Sequence, residues 1–232
     1  MQPRKLIRLG FFVAIVLTIG IVLVRTPRDY AAIIYPPIPA EHFAYIDKAV
    51  DHCGVPKSKR GFIAATAYAE SSFHPGSQSG AGAIGVMQLL RATGYGTAIK
   101  YGIPGLNANT FTDPQISYMM GTCYLHYVMG EIVGNHDEAN WDDERILTSM
   151  LVGYNAGPAR GRSYYNGAYN GPASSVHYGA KILRASQVYN LDFARYDQAK
   201  LQGGTEIDVL SRIREIVWNI LLRIGPDESE NL

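Results

Sequence analysis

The chain has 232 residues, of which 47% are hydrophobic and 18% charged, enough for one well-packed domain with short appendages. A formal net charge of +1 leaves no basic surface of the kind that binds nucleic acid, so no nucleic-acid partner is expected. Five basic residues lie within the first 28 positions, which leaves the rest mildly acidic; they are Arg4, Lys5, Arg8, Arg25 and Arg28.

The N-terminal segment, residues 1–28, is predicted to meet a membrane. Between Arg8 and Arg25, sixteen residues carry no charge and are mainly apolar, which is the layout of a signal-anchor or an export signal. As a helix they would span roughly 24 Å, which suffices for a ~30 Å hydrocarbon core when the flanking residues snorkel. Because Arg25 and Pro27 stand where a cleavage site needs small residues, an uncleaved anchor is favoured over a cleaved, secreted form. The domain would then lie in the periplasm.

The rest of the chain is predicted to be mainly α. Residues 29–39 are rich in proline and should form an extended spacer before a domain at residues 40–195. Asp113 followed by Pro114 gives one helix a good N-cap and first residue. A short hairpin is expected near residues 81–86. Helical periodicity predicts five helices, at residues 40–53, 57–71, 114–132, 142–154 and 173–189.

Glu70 is the leading candidate for catalysis. It falls in the last turn of the second predicted helix, among small and aromatic residues. The negative end of the helix dipole and partial burial both disfavour a carboxylate there and would raise the pKa of Glu70. A raised pKa suits a general acid that protonates a glycosidic oxygen near neutral pH. The alternative is a solvated glutamate at a helix end.

The spacing of acidic residues narrows the mechanism. After Glu70 the next acidic residue is Asp113, and the preceding one is Asp51. An ordinary glycosidase needs two carboxylates that flank the bond. A distant aspartate could still fold into place, but the sequence supports a mechanism with one carboxylate at least as well.

Two later motifs suit a carbohydrate site. Gly82-Ala-Ile-Gly85-Val-Met87-Gln88 combines glycines, which let the backbone approach a ligand, with an amide that can pair with an acetamido group. Tyr154-Asn155-Ala156-Gly157 ends a predicted helix and opens a loop rich in tyrosine, at residues 160–171. A tyrosine hydroxyl can hold a carboxyl group, and exposed rings can stack on sugars. Each motif alone is weak, and Met87 alone fits a core position better.

The three motifs in this order resemble the signatures of the soluble-type (Slt-like) lytic transglycosylase family. The resemblance covers roughly residues 41–191 and includes the helix that starts at Asp113 and Pro114. It implies a mainly α, lysozyme-like (goose-type) domain with a substrate groove between two helical lobes. No cofactor is implied, and no metal site is expected, since the six histidines form no ligand-like spacing.

The resemblance also implies a reaction on peptidoglycan glycan strands. Glu70 would protonate the oxygen of the β-1,4 bond between N-acetylmuramic acid and N-acetylglucosamine. As a carboxylate it would then take the proton of the muramic C6 hydroxyl, which closes a 1,6-anhydro ring. Substrate-binding roles are implied for six residues: Ser71, Met87, Gln88, Asn155, Tyr154, which would touch the catalytic carboxyl, and Tyr178.

Two other functions remain open at this stage. The first is a goose-type lysozyme-like hydrolase on the same fold, which would use water in place of the C6 hydroxyl. The second is a non-catalytic peptidoglycan-binding component of an envelope-spanning assembly or a virion. Residues 205–224 form a predicted amphipathic helix that could pack on the domain, which is favoured, or lie on a membrane or bind a protein partner.

The two cysteines, Cys53 and Cys123, lie on predicted helices that could be neighbours. An extracytoplasmic compartment would allow them to form a disulfide. Buried free thiols are nevertheless favoured, because a chain of this length needs no covalent staple.

Overall fold

The computed structural model describes residues 35–134 and 140–201. Within these ranges the chain forms seven α-helices and, just before the second of them, one turn of 3₁₀-helix at Lys57–Lys59. From Ile38 onward the described residues belong to one compact unit. The helices are α1 (Ala40–Cys53), α2 (Arg60–Ser71), α3 (Arg91–Tyr101), α4 (Pro114–Val133), α5 (Glu144–Ala156), α6 (Pro158–Tyr165) and α7 (Ala173–Leu201).

Three predictions concern segments outside the described residues. They are the membrane segment at residues 1–28, most of the spacer at residues 29–39, and the amphipathic helix at residues 205–224 with its candidate partner. In the part of the chain that the structure does describe, no helix is both long enough and apolar enough to cross a bilayer.

Helix starts and stops follow the local signals in the sequence. α1 has its predicted bounds and is capped at its C-terminus by Gly54, which has a left-handed φ of 70° that glycine adopts without strain. α4 begins after Asp113, whose Oδ1 accepts a hydrogen bond from the backbone N–H of Ile116 at 3.1 Å. In α5, Asp143 caps the first turn in the same way, accepting from the N–H of Arg145 at 2.8 Å. α5 therefore starts two residues later than predicted.

α7 is longer than predicted, since it continues from residue 189 to Leu201. The sequence here mixes polar and apolar residues, and Arg60 at the start of α2 pairs with Asp197 on α7 and with Asp47 on α1. The Arg60 guanidinium also lies 4.6 Å above the Phe193 ring. These contacts between helices hold the additional turns. Phe193 and Tyr196, which pack on the Phe43 ring of α1, continue the helical spacing of the buried Tyr189.

Two helices were not predicted. α3 contains Gly94 and Gly96, which lower helix propensity, yet Gly94 lies directly against the Phe111 ring, so tertiary packing outweighs propensity. α6 occupies residues that were expected to form a loop. Pro158 at its first position is a signal for a helix start that could have identified it.

The predicted hairpin near residues 81–86 was wrong. The segment forms only isolated antiparallel bridges, from Ile84 to Gln78 and to Leu89. Gly82, Gly85 and Gln88 all have positive φ values, so the backbone folds into successive tight turns and cannot run on as paired strands.

The core is centred on α4, which contacts α1, α3, α5 and α6. Because neighbours surround it, α4 is buried on most of its surface and carries apolar residues on all sides. α2 and α7 pack closely together, since a Cβ at Gly61 would overlap Asn190. The largest fully buried side chains include Ile46, Ile63, Met87, Tyr118, Met120, Leu125, Met129, Met150, Leu151, Ile182 and Tyr189.

The cysteines form a disulfide, so the expectation of free thiols was wrong. Cys53 is the last residue of α1, and Cys123 lies in the buried middle of α4. Their Cα atoms are 4.9 Å apart, well inside the range for a disulfide. The packing of α1 on α4 brings the two together across 70 residues of sequence.

Candidate active site

The end of α2 presents Glu70 at the surface of the domain. The helix stops at Ser71 because the next two residues, Ser72 and Phe73, have left-handed φ values of 52° and 68°. Phe73 is buried and packs edge-on against the rings of His42 and Tyr189. Burial of this aromatic ring compensates for the strained backbone and fixes the direction in which the chain leaves Glu70.

The Glu70 carboxyl is half-buried and has one hydrogen-bond partner among the described residues. The Tyr178 hydroxyl donates to its Oε1 at 2.5 Å. Burial raises the pKa of Glu70 from 4.5 to about 7, and the hydrogen bond from Tyr178 opposes part of that rise. No second carboxylate of the described residues contributes to this pKa. A group with this pKa can both donate and accept a proton near neutral pH.

A loop at residues 76–89 lies against the end of α2. The Ser71 hydroxyl donates to the Val86 carbonyl at 2.8 Å and contacts the Ala67 carbonyl at 3.2 Å. Because a hydroxyl has one hydrogen, Ser71 is left with acceptor capacity only. A Cβ at Gly85 would overlap the Phe111 carbonyl, and Gly85 has a φ of 86°, so this position requires glycine.

Gln88 holds the same loop from within. Its Nε2 donates to the carbonyls of Ser77 and Gly85, both at 2.9 Å. The Gln88 backbone has a φ of 46°, which is uncommon for a residue with a side chain. Since both amide hydrogens are engaged, Oε1 is the free end of the amide, with no hydrogen-bond partner among the described residues.

Met87 and Tyr154 differ from their expected places. The Met87 side chain is fully buried against Gly121, so it is not placed to touch a ligand in a groove. Its N–H donates to the Ser117 hydroxyl at 3.2 Å, and its carbonyl accepts from the Tyr154 hydroxyl at 2.6 Å. Tyr154 therefore bonds the loop backbone and not the carboxyl of Glu70, although burial and nearby Glu70 both raise the pKa of the Tyr154 hydroxyl.

Asn155 follows Tyr154 near the end of α5 and is exposed. Its Oδ1 accepts a hydrogen bond from the Ser175 hydroxyl at 2.8 Å. Ser175 is buried in the first turn of α7, three residues before Tyr178. The amide of Asn155 is thus held by the same helical turn that holds Glu70.

The structure connects the predicted site residues through the ends of three helices and one loop. Ser71 and Tyr154 both bond the loop backbone, Gln88 lies within the loop, and Tyr178 bonds Glu70. Sequence reasoning missed the backbone carbonyls of Ser77, Val86 and Met87, which no residue type reveals. It also missed Ser175, for which the helical spacing to Tyr178 was a usable signal.

The geometry links one proton-transfer group, through hydrogen bonds between its neighbours, to segments that carry groups able to bind a polar ligand. Gln88 Oε1 and the Ser71 hydroxyl are available as acceptors, and the Asn155 amide nitrogen as a donor. Across residues 35–134 and 140–201, no three His, Cys, Asp or Glu side chains lie close enough together to hold a metal ion.

Comparison with known proteins shows which family the domain resembles. The family model of the transglycosylase SLT domain matches residues 45–176. A soluble lytic murein transglycosylase of Escherichia coli (strain K12) is 33% identical over 106 residues, which cover 45% of this chain and 15% of that protein. A membrane-bound lytic murein transglycosylase F of Serratia proteamaculans (strain 568) is 37% identical over 95 residues, which cover 41% of this chain and 17% of that protein. The chain thus spans a small part of the length of these relatives.

Solved structures show the same fold. The 70 kDa soluble lytic transglycosylase of Escherichia coli and an inactive mutant of lytic transglycosylase Slt of Pseudomonas aeruginosa both superpose with a TM-score of 0.54. Each is 23% identical, and each match covers 67% of this chain and 25% of the other. The predicted mainly α, lysozyme-like fold is confirmed.

Proposed function

The chain belongs to the transglycosylase SLT domain family, and we propose that it is a peptidoglycan lytic transglycosylase. In this proposal it cleaves the β-1,4 bond between N-acetylmuramic acid and N-acetylglucosamine and leaves a 1,6-anhydromuramoyl end. Its substrate is the glycan strand of the bacterial wall. The names of the relatives from Escherichia coli and Serratia proteamaculans support the substrate and the reaction.

The observation that carries the proposal is the isolation of Glu70. Its pKa of about 7 leaves a large fraction protonated at neutral pH, which a general acid requires. An ordinary glycosidase would need a second carboxylate beside it, and none among the described residues contributes to the pKa of Glu70. A single group that acts twice fits this environment.

The two proton transfers balance on Glu70. The protonated carboxyl gives its proton to the glycosidic oxygen, and the bond from that oxygen to C1 of the muramic residue breaks. The carboxylate then takes the proton of the C6 hydroxyl while that oxygen bonds to C1, so Glu70 returns to its starting state and water is not consumed. Tyr178, which donates to Oε1, stabilises the carboxylate between the two steps.

The surrounding groups would position the sugar. Gln88 Oε1 is free to accept a hydrogen bond from the N–H of an acetamido group. The Ser71 hydroxyl, whose proton is engaged at the Val86 carbonyl, would accept from a sugar hydroxyl. Tyr154 and Met87 act indirectly, by fixing the loop that carries Gln88.

A location in the cell envelope, outside the cytoplasm, agrees with the structure. The disulfide between Cys53 and Cys123 is a bond that persists in oxidising compartments. The uncharged run within residues 1–28 would tether the domain to the membrane and keep it near the wall.

The test is the mass of the product. Purified peptidoglycan is digested with the full-length protein, and the soluble fragments are analysed by mass spectrometry. Anhydro-ended muropeptides are expected. Fragments heavier by one water would instead identify a hydrolase of the goose-type lysozyme class, and bound but uncut glycan would identify a non-catalytic wall-binding module.

A pair of variants assigns the reaction to Glu70. Glu70→Gln keeps the shape and an acceptor for Tyr178 but cannot transfer a proton, so product release should fall by at least ~10²–10⁴-fold. Glu131→Gln is the matched control, because Glu131 lies in the last turn of α4 and pairs with Arg162 at the surface. It should retain wild-type activity.

A further inference from the structure

The N-terminal part of α7 holds two groups of the site at once. Ser175 and Tyr178 are three residues apart, a spacing that places them on the same face of a helix. Tyr178 donates to Glu70 Oε1 at 2.5 Å, and Ser175 donates to Asn155 Oδ1 at 2.8 Å. The acid of α2 and the amide of α5 are therefore set in register by one helical turn.

The Ser175 hydroxyl is committed to this bond. Ser175 is 2% exposed, and its backbone N–H donates separately to the Pro172 carbonyl at 3.1 Å. A buried hydroxyl that lost Asn155 would lose its hydrogen-bond acceptor, which is costly. The contact thus fixes the rotation of the Asn155 side chain as well as its position.

The fixed rotation gives Asn155 a defined chemical character. An amide offers an acceptor oxygen at one end and two N–H donors at the other. With Oδ1 turned to Ser175, Nδ2 is the free end, and no described residue accepts from it. Asn155 is exposed and follows Tyr154 in sequence. The pKa of the Tyr154 hydroxyl is raised by burial and by nearby Glu70.

We propose that Ser175 is a positioning residue that makes Asn155 a hydrogen-bond donor to an oxygen acceptor of the substrate beside the cleavage point. The acceptor is a carbonyl or carboxylate oxygen on the sugar, such as those of acetamido and lactyl groups. Gln88 has the opposite polarity, since it presents its Oε1. The two amides would then distinguish donor and acceptor groups on the substrate. The inference rests on the proposed function, because it names the ligand of the same site.

The experiment is a double-mutant cycle read as binding. Glu70→Gln serves as the background, so that soluble N-acetylglucosaminyl–N-acetylmuramyl oligomers bind without being cut. Ser175→Ala should weaken the affinity about fivefold, as expected for one net hydrogen bond. Ser175→Thr keeps the hydroxyl and should restore it. When Asn155→Ala is already present, Ser175→Ala should change nothing further.

The control is Ser186→Ala on the same helix. Ser186 is also buried, and its hydroxyl donates to the Leu183 carbonyl at 2.7 Å, so the change removes a comparable hydrogen bond. Its oligomer affinity should remain that of the background. If Ser175→Ala leaves the affinity unchanged, or weakens it equally with and without Asn155, the inference is overturned. Such a result is separate from failure of the proposed function, which is a wild-type digest without anhydro-ended product.

Discussion

The two ends of α2 each carry a charge that opposes the helix dipole, but the surroundings of these charges differ. Arg60, a cation at the first residue, has Asp47 and Asp197 within ion-pair distance and the Phe193 ring below its guanidinium. Glu70, an anion in the last turn, has a single hydrogen bond, from Tyr178, among the described residues. The charge at the N-terminal end of α2 is therefore compensated by ion pairs. A carboxylate at the C-terminal end has no counter-charge among the described residues.

The two ends of α2 therefore have different roles: the Arg60 end stabilises the fold, and the Glu70 end carries the proton-transfer group. At the Arg60 end the charges satisfy each other and hold α1, α2 and α7 together. At the Glu70 end burial without a counter-charge keeps the pKa of the carboxyl at about 7, so the proton remains exchangeable.

The largest expected loss of stability comes from removing the disulfide between Cys53 and Cys123, which joins α1 to α4. Replacing both Cys53 and Cys123 by alanine should lower the free energy of unfolding by about 4 kcal/mol, because the disulfide joins positions that are 70 apart in sequence and so restricts the unfolded chain. Urea unfolding measures this, and reduced wild-type protein should give a similar value. A loss below about 1 kcal/mol would mean that noncovalent packing alone holds α1 against α4.

Because the pKa of Glu70 is raised, the stability of the fold should depend on pH. The folded state holds the Glu70 proton with a pKa of about 7 against an ordinary value of 4.5. As the pH rises from 4.5 to 7 the unfolded chain loses this proton first, so the carboxyl increasingly destabilises the fold. Since each tenfold difference in proton affinity corresponds to ~1.4 kcal/mol, the total is about 3 kcal/mol.

Glu70→Gln removes that penalty. Its advantage in unfolding free energy over wild type should grow by about 3 kcal/mol between pH 4 and pH 8, as measured by urea titration at several pH values. Glu131→Gln controls for the loss of a partly exposed carboxylate. A constant difference between Glu70→Gln and wild type at all pH values would contradict the contrast between the two ends.

A smaller loss of stability is expected when the compensated end is opened. Arg60→Met keeps the aliphatic stem but removes the cation that lies closest to Asp47 and Asp197. Lys200 remains 3.7 Å from Asp47 and Asp197 is 44% exposed, so the loss should be about 2 kcal/mol. The specific activity of the folded protein should not change.

The control for this variant is Arg162→Met. Arg162 pairs with Glu131, and both side chains are well exposed, at 50% and 39%. The loss in unfolding free energy should stay below about 1 kcal/mol. Equal losses of unfolding free energy in the two variants would show that the Arg60 ion pairs stabilise the fold no more than an exposed surface pair does.

The smallest change is at Tyr178. The hydrogen bond from its hydroxyl lowers the pKa of Glu70, so Tyr178→Phe should move that pKa upward. Carbon-13 NMR of the Glu70 carboxyl measures it directly, and the alkaline limb of the activity profile should shift the same way. Tyr169→Phe is the control, because its hydroxyl donates to the Pro172 carbonyl and not to Glu70. A downward shift in Tyr178→Phe would contradict the assigned hydrogen bond.

A structural feature could be predicted from the sequence when the residues that cause it are adjacent in the chain. The cap at Asp113 and the place of Glu70 in the last turn of its helix depend on adjacent residues, so they could be predicted. The extension of α7 depends on Arg60, far away in sequence, and the disulfide depends on the packing of α1 against α4. The disulfide leaves no periodic pattern in the sequence, whereas Tyr189, Phe193 and Tyr196 continue the helical spacing of α7 and were a usable signal for its extension.

The same distinction applies within the site. The motif residues were found because their types and order are distinctive. The sequence could not show which tyrosine bonds the Glu70 carboxyl, because Tyr154 and Tyr178 have the same chemistry. Only the geometry of the helices gives that hydrogen bond to Tyr178. Met87 was expected beside a ligand, but the absence of a side chain at Gly121 opens a space in the core that it fills.

The disulfide has a topological consequence for Glu70. Residues 53–123 form a closed covalent ring, and that ring contains Glu70, Ser71 and Gln88. The ring contains two exposed stretches, at residues 78–81 and 104–109, that a protease could reach. A single cut there opens the ring but leaves one molecule, because the new ends stay joined through Cys53 and Cys123. The two fragments of a nicked domain should therefore separate only after the disulfide is reduced.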